Sequence, residues 1–247
     1  MTIFRAHAKL TTRLRMAGVR ADGYHLLDAE MVSLDLHDTL EITDGDGLEV
    51  AGGSLGDAAT GLFVPETTGD NLVSAALQLV ERRARVRLTK AIAPGAGLGG
   101  GSADAAAVLV WAGFDDLDAA GGLGADVPFC IVGGRAHVTG IGEIVEPLPY
   151  EERTYTLLTP PFGCSTPAVY RRWDEMGAPV GERGNDLEPA ALDVEPRLGE
   201  WRDRLEQATG EPARLAGSGS TWFVEGSFPG GGRVVVATVP AGVTTVP

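Results

Sequence analysis

Between Pro94 and Ser102 the chain reads PGAGLGGGS, five glycines in nine residues, and then passes at once into the alanine-rich run ADAAAVL. Glycine loses more conformational freedom on folding than any other residue, so such a run is unfavourable unless the backbone needs it. The preceding segment ARVRLTKAI alternates apolar and polar residues and reads as a strand, and the alanines read as a helix. A glycine loop between a strand and a helix N-terminus makes an anion site. Unpaired amides point outward there, the helix dipole adds positive charge, and the missing side chains let a phosphate come close. Ser102 is placed to cap the helix and to offer its hydroxyl to a phosphate or its Mg2+. A flexible linker is disfavoured, because the run is flanked tightly by a strand and a helix. Gly95, Gly97 and Gly100 satisfy a dinucleotide fingerprint, with Asp115 or Asp116 near the expected offset. That match is weak, because a run this dense satisfies many patterns and the neighbouring strands do not read as an open parallel sheet. No lysine follows the glycines, so the loop is not of the Walker A type.

A chain of 247 residues allows one large domain or two smaller ones. A net charge of −14 argues against nucleic acid and against an anionic membrane surface. No apolar run approaches the roughly 20 residues needed to span a bilayer, and no apolar h-region follows the first charges, so a cytoplasmic protein is expected. Cys130 and Cys164 read as core thiols, and no metal-ligating constellation is read. Of 20 basic residues only Lys9 and Lys90 are lysine. Lysine is a compact point charge that the wide fork of arginine does not replace everywhere, which draws attention to both positions.

Residues 2–15 suit a strand, RADGYH a turn, and HLLDAEMVSLDLHDTLEIT two further strands. DNLVSAALQLVERR reads as a helix capped by Asp70. DVPFCIVGGRAHVTGIGEIVEPL reads as a β-hairpin region, and the pattern breaks between Pro147 and Glu152, where a domain boundary is placed. Beyond it come a strand (TYTLLTP), a helix with Thr166 as cap and Pro167 at its first position, and a helix aligning Leu198, Trp201 and Leu205. ARLAGSGSTWFVEG reads as strand, glycine turn and strand, and GRVVVATVP as a last strand. Strands and helices mix without regular βαβ alternation, an α+β arrangement in two layers.

The stretch PGAGLGGGSADAAA resembles the phosphate-binding loop of the GHMP kinase superfamily. Eight more blocks occur in the order of one branch, which phosphorylates a cytidine diphosphate-linked methylerythritol in non-mevalonate isoprenoid biosynthesis. They are AHAKL (6–10), RADGYH (20–25), LDLHDTLEI (34–42), DNLV (70–73), GADVPF (124–129), GIGEI (140–144), NDLE (185–188) and AGSGS (216–220). The resemblance implies a two-domain α+β fold. Residues 1–150 form an ATP- and substrate-binding domain like domain 2 of ribosomal protein S5, and residues 151–247 a shortened ferredoxin-like C-terminal domain. It implies ATP with Mg2+ as cofactors, a small-molecule partner, and a monomer or weak homodimer.

By the same resemblance Lys9 and Asp126 are the catalytic pair. The chemistry is reasonable in itself. A carboxylate orients the attacking hydroxyl and accepts its proton, and an ammonium offsets the negative charge that develops. Pro94, Gly95, Ala96, Gly97, Leu98, Gly99, Gly100, Gly101, Ser102 and Ala103 are implied as the phosphate cradle, Asn71 and Leu72 as the adenine pocket, and Lys90 as a lysine beside the adenine. His25 is implied to hydrogen-bond the cytosine edge and Tyr24 to stack on its face, with Tyr170 as a second aromatic. Gly217, Ser218 and Gly219 are implied to support the phosphate end of the substrate. Thr11 stands where the family has asparagine. WAGFDDLDAAGGL and SFPGGG each read as missing a helix, so a thinner but active enzyme is expected. A homoserine- or mevalonate-type kinase and a non-catalytic nucleotide-binding relative are the alternatives. GYH disfavours the former, whose substrates carry no base, and Lys9 with Asp126 disfavours the latter.

Overall fold

The computed structural model describes residues 1–52 and 71–246. The expected cap Asp70 and most of the expected weak strand and loop between 44 and 69 lie outside them. The elements run β1 (Thr2–Val19), β2 (His25–Thr43), β3 (Gly47–Gly52), α1 (Leu72–Leu79), β4 (Arg85–Lys90), α2 (Gly100–Ala112), α3 (Leu117–Gly121), α4 (Val127–Val132), β5 (Arg135–Gly140) and β6 (Ile144–Pro147). They continue with β7 (Thr154–Leu158), α5 (Thr166–Glu175), α6 (Glu188–Val194), α7 (Leu198–Thr209), β8 (Arg214–Leu215), β9 (Trp222–Glu225), β10 (Val234–Val239) and β11 (Val243–Val246).

The long strand β2 organises the sheet. Its first half pairs with β5, its last five residues pair with β4, and Ser33 and Leu34 in the middle pair with β10. Sequence reading splits this segment into two strands, but it is continuous. The two apparent strands are its two halves facing different neighbours. The β1–β2 ladder breaks after His7↔His37 and resumes at Lys9↔Ser33, so Leu34, Asp35 and Leu36 stand opposite Ala8 alone. An irregularity of this kind re-aims side chains and frees backbone groups. Here the Lys9 amide donates out of the ladder to Leu98 O (3.0 Å).

Helix α2 packs on β1 and β2 on one side and on α1 and α4 on the other. Ala103, Ala105, Ala106, Ala107, Val108 and Leu109 are all fully buried. A helix that is apolar all round belongs inside, and alanine keeps it thin enough to fit. A second cluster joins Ala8, Leu10, Val32 and Leu34 to Tyr155, Phe223 and Val236, and it takes in Ala96 and Leu98 from the glycine run. The run is therefore anchored in the core.

Four expectations are corrected. VPFCIV forms helix α4, not a strand of a hairpin; Pro128 sits in its first turn and Gly133, at φ +66°, ends it. Only β5 and β6 make the hairpin. Ser102 lies inside α2, whose cap is Gly99, and Thr166 lies inside α5, whose cap is Ser165. GRVVVATVP is not the last strand, because β11 follows and pairs with β1. Residues 148–153 carry no element. The chain beyond them nonetheless returns to the first sheet through β10 and β11.

Candidate active site

The carbonyls of the glycine run face the protein. Gly95 O accepts from Ser220 N (3.1 Å) and Cys164 N (3.3 Å), Ala96 O from Thr221 N (3.1 Å), Leu98 O from Lys9 N and Gly99 O from Ala103 N. Among the described residues no amide from Gly95 to Ser102 donates to a protein acceptor. Gly95, Gly97 and Gly99 hold φ of +66°, +78° and +69°, which lets successive amides turn to the same side. These amides open into a cleft of about 770 Å³ that ends at the N-terminus of α2.

Lys9 and Asp126 meet at the floor of this cleft. Lys9 Nζ lies 3.3 Å from Asp126 Oδ2 and donates to Thr11 Oγ1 at 3.1 Å. Lys9 is buried, whereas the Asp126 side chain keeps 30% of its surface exposed. Asp126 stands at the cap position of α4 yet makes no capping hydrogen bond, so its carboxylate faces Lys9 and the cleft. Thr11, at the position where asparagine is expected, serves as the acceptor that orients Lys9. Burial, with the charge of Asp126 adding to it, pushes the Tyr170 phenol up, and burial likewise raises the Cys130 thiol on α4.

Asn71, Leu72, Lys90, Pro94 to Ser102, Tyr170, Gly217 and Ser218 line the same cleft as Lys9, Thr11 and Asp126. Asn71 also caps α1, its side chain accepting from Val73 N. The structure leaves four expected residues off the lining. Ala103 is buried in α2, and Gly219 packs against Cys164, Leu215 and Leu198. Tyr24, 56% exposed, sits at the hairpin tip under the Arg20 guanidinium. His25 lies beyond Tyr170, with ring centroids 4.9 Å apart, and its Nε2 hydrogen-bonds Asp174 Oδ1 at 2.8 Å.

Lys90 lines the cleft, but its ammonium is not free for a ligand. It donates to Asp38 Oδ2 and to Asp104 Oδ2, the latter at 2.6 Å. Asp38 Oδ1 also accepts from Ala91 N and Ile92 N (2.5 and 2.8 Å), where the chain leaves β4 for the loop. Asp104 lies on α2, where the chain leaves the loop. The cluster thus pins both ends of the glycine run. Burial lowers the Lys90 ammonium, but the Asp104 and Asp38 carboxylates outweigh it and the net shift is upward. Burial, with the Asp38 charge adding to it and the Lys90 ammonium opposing it, raises the Asp104 carboxyl well above the ordinary range.

No protein-family model matches the chain. Curated relatives do. The 4-diphosphocytidyl-2-C-methyl-D-erythritol kinase of Paracoccus denitrificans is 39% identical over 88% of this chain and 84% of its own length. The chain belongs to the 4-diphosphocytidyl-2-C-methyl-D-erythritol kinase family. The Pelotomaculum thermopropionicum enzyme of the same name is 37% identical over 88% of this chain and 86% of its own length. A crystal structure of a 4-(cytidine 5'-diphospho)-2C-methyl-D-erythritol kinase superposes with a TM-score of 0.74, at 28% identity, covering 96% of this chain and 98% of the other. A homoserine kinase from Cytophaga hutchinsonii shares the fold alone, at a TM-score of 0.60 and 16% identity over 99% of this chain and 97% of its own. The fold is that of the GHMP kinases, and the family is one of small-molecule kinases.

Sequence reading misses Asp38, Asp104, Asp174 and Asn185. A signal was present for Asp104, a charge inside an alanine helix that is otherwise apolar. For Asp38 there was none, because its partner Lys90 is 52 residues away.

Proposed function

We propose that the protein transfers the γ-phosphoryl group of ATP to the 2-hydroxyl of 4-diphosphocytidyl-2-C-methyl-D-erythritol, in the cytoplasm. The observation that carries this is the Lys9–Asp126 pair, 3.3 Å apart, in the cleft into which the glycine-run amides open. The amides of Gly95 to Ser102 hold the phosphates, with the N-terminus of α2 adding its dipole. Asn71 and Leu72 border the adenine. The Ser102 hydroxyl, in the first turn of α2, is the protein oxygen that would join a Mg2+ carried by the nucleotide, which would supply neutralisation of phosphate charge.

Asp126 Oδ2 accepts the hydrogen bond of the substrate hydroxyl and then its proton, as that oxygen bonds to the γ-phosphorus and the bond from the γ-phosphorus to the bridging oxygen breaks, releasing ADP. Lys9 stays charged and stabilises the negative charge spreading over the transferring group. Tyr24, His25 and Tyr170 receive the cytosine, the His25 ring being held by Asp174 and the aromatics supplying about 1–3 kcal/mol per stacked base. Gly217 and Ser218 face the diphosphate end, with Gly219 packed behind them. The division near residue 150 separates the strand-and-helix unit carrying Lys9, the loop and Asp126 from the part supplying Tyr170 and the second glycine turn. The decisive assay is coupled ADP release with the cytidyl substrate, homoserine and mevalonate offered separately. Turnover is expected with the cytidyl substrate. Comparable turnover of homoserine or mevalonate, or none with any of the three, overturns the reading.

A further inference from the structure

The block NDLE contains a residue that does not line the cleft yet is tied to Lys9 through one loop. Asn185 is buried, 3% exposed. Its amide nitrogen donates to Leu215 O at 2.9 Å and Gly217 O at 2.6 Å, and its amide oxygen accepts from Leu187 N at 2.9 Å. Both donors are therefore directed at the turn between β8 and β9.

That turn lies on the catalytic apparatus. A Cβ placed at Gly217 would stand 3.5 Å from Lys9 Nζ and 4.0 Å from Thr11 Oγ1. A Cβ on Gly97 would collide with Ala216 O and Gly219 O, so the turn and the glycine run are in direct contact. The backbone of Asn185 is fixed as well: Leu14 N donates to Gly184 O (2.8 Å) and Asp186 N to Leu14 O (3.0 Å), joining the segment to the strand that carries Lys9. The Asp186 carboxylate accepts from Met16 N and Gly181 N (2.9 and 3.0 Å). One short segment thus grips β1 with its backbone and the glycine turn with a side chain.

We infer that Asn185 is a positioning residue: its two N–H groups set the height of the Gly217–Gly219 turn above Lys9, and so the space left for the phosphate being transferred. This rests on the kinase reading given above. A simpler role competes with it, since the bond from Leu187 N lets Asn185 hold the residue that precedes α6. Two substitutions separate the roles. Asn185→Asp keeps the acceptor for Leu187 N but turns lone pairs toward Leu215 O and Gly217 O, whereas Asn185→Ala loses both functions.

Hydrogen exchange and kinetics are measured on both variants and on Leu205→Ala, a buried α7 change away from the cleft that loosens the protein generally. Asn185→Asp is expected to accelerate exchange of the Ala216, Gly219, Ser220 and Thr221 amides and to lower kcat roughly 100-fold, the scale of a misplacement near 1 Å. The ATP dissociation constant is expected to stay near that of the parent. Leu205→Ala is expected to melt earlier with its kcat retained. The inference is overturned if Asn185→Asp behaves like the parent while Asn185→Ala does not, or if Leu205→Ala loses kcat equally. Should the parent fail to phosphorylate the cytidyl substrate, the kinase reading falls, and the exchange data alone decide the role of Asn185.

Discussion

Gly99 is the position at which the geometry of the loop bears most directly on catalysis. It caps α2 in the left-handed region, at φ +69°, and a Cβ built there meets Lys9 Cγ at 2.7 Å and Cε at 3.2 Å. Gly99→Ala therefore has two consequences. The left-handed backbone costs an alanine about 1–2 kcal/mol, which in a chain of this size lowers the melting temperature by about 2–8 °C. The contact at 2.7 Å must open to the 3.5–4.0 Å of ordinary carbon pairs, a shift of about 1 Å. The lysine stem has little room to take it up, because Lys9 is buried and its Nζ is held by Thr11 Oγ1 and Asp126. The ammonium moves instead, and a 1 Å misplacement costs on the order of 100-fold in kcat. The loop amides remain, so nucleotide binding weakens far less than turnover. Thermal melts, nucleotide titration and steady-state kinetics on one preparation separate the two effects. A variant that melts earlier but turns over at the parent rate would show that Lys9 is not set by Gly99, and the reasoning would fall with it.

Asp126→Asn keeps shape and removes the proton acceptor, so kcat should drop about 100- to 10,000-fold with ATP affinity retained; undiminished turnover would show that another group takes the proton. Lys90→Met leaves Asp38 and Asp104 facing each other in the core and should destabilise the protein by about 3–5 kcal/mol, with part recovered on adding Asp104→Asn; melting temperatures check both. Burial pushes the Glu188 carboxyl from an ordinary 4.5 up to about 6. The folded state thus holds a proton more tightly than the unfolded one, so this contribution is full below pH 4.5 and is lost as pH rises through 6. Glu188→Gln should abolish that slope and be the more stable protein above pH 6 by about 1 kcal/mol, allowing for the solvent the side chain retains; identical pH–melting curves would refute it.

What could be read from the sequence was what the backbone itself demands. Three glycines with positive φ, a helix that must be thin, and a turn at Asp22-Gly23 each require particular residue types at fixed spacing, and each appears where expected. That Lys9 and Asp126 would stand together followed from the resemblance, with the scarcity of lysine drawing attention to Lys9 alone. The misreadings have a different physics. VPFCIV carries the β-branched and aromatic residues of a strand, and only proline in its first turn and packing against α2 make it a helix. β11 is four β-branched residues, too short a run to be read as a strand until the edge of β1 pairs with it. The partners of Lys90 come from β2 and α2, and no local window contains all three.

The same contrast explains how a protein of net charge −14 can hold a nucleotide triphosphate. Lys90 lends its charge to two carboxylates, and Lys9 is shared with Asp126. On the proposed reading the phosphates are left chiefly to dipoles, the amides of Gly95 to Ser102 and the end of α2. Dipoles are useful only if they cannot turn away, and glycine is the residue least able to hold them. The carbonyls resolve this. Those of Gly95, Ala96, Leu98 and Gly99 are bonded into the protein, and Ala96 and Leu98 are packed into its core, so the amides on the other side of each peptide have one direction left to face. The Lys90 cluster fixes where the run begins and ends, and the Asn185-supported turn fixes what lies across from it. The conformational entropy that five glycines lose is offset by contacts behind the loop, and among the described residues the amides of Gly95 to Ser102 are left without a protein acceptor.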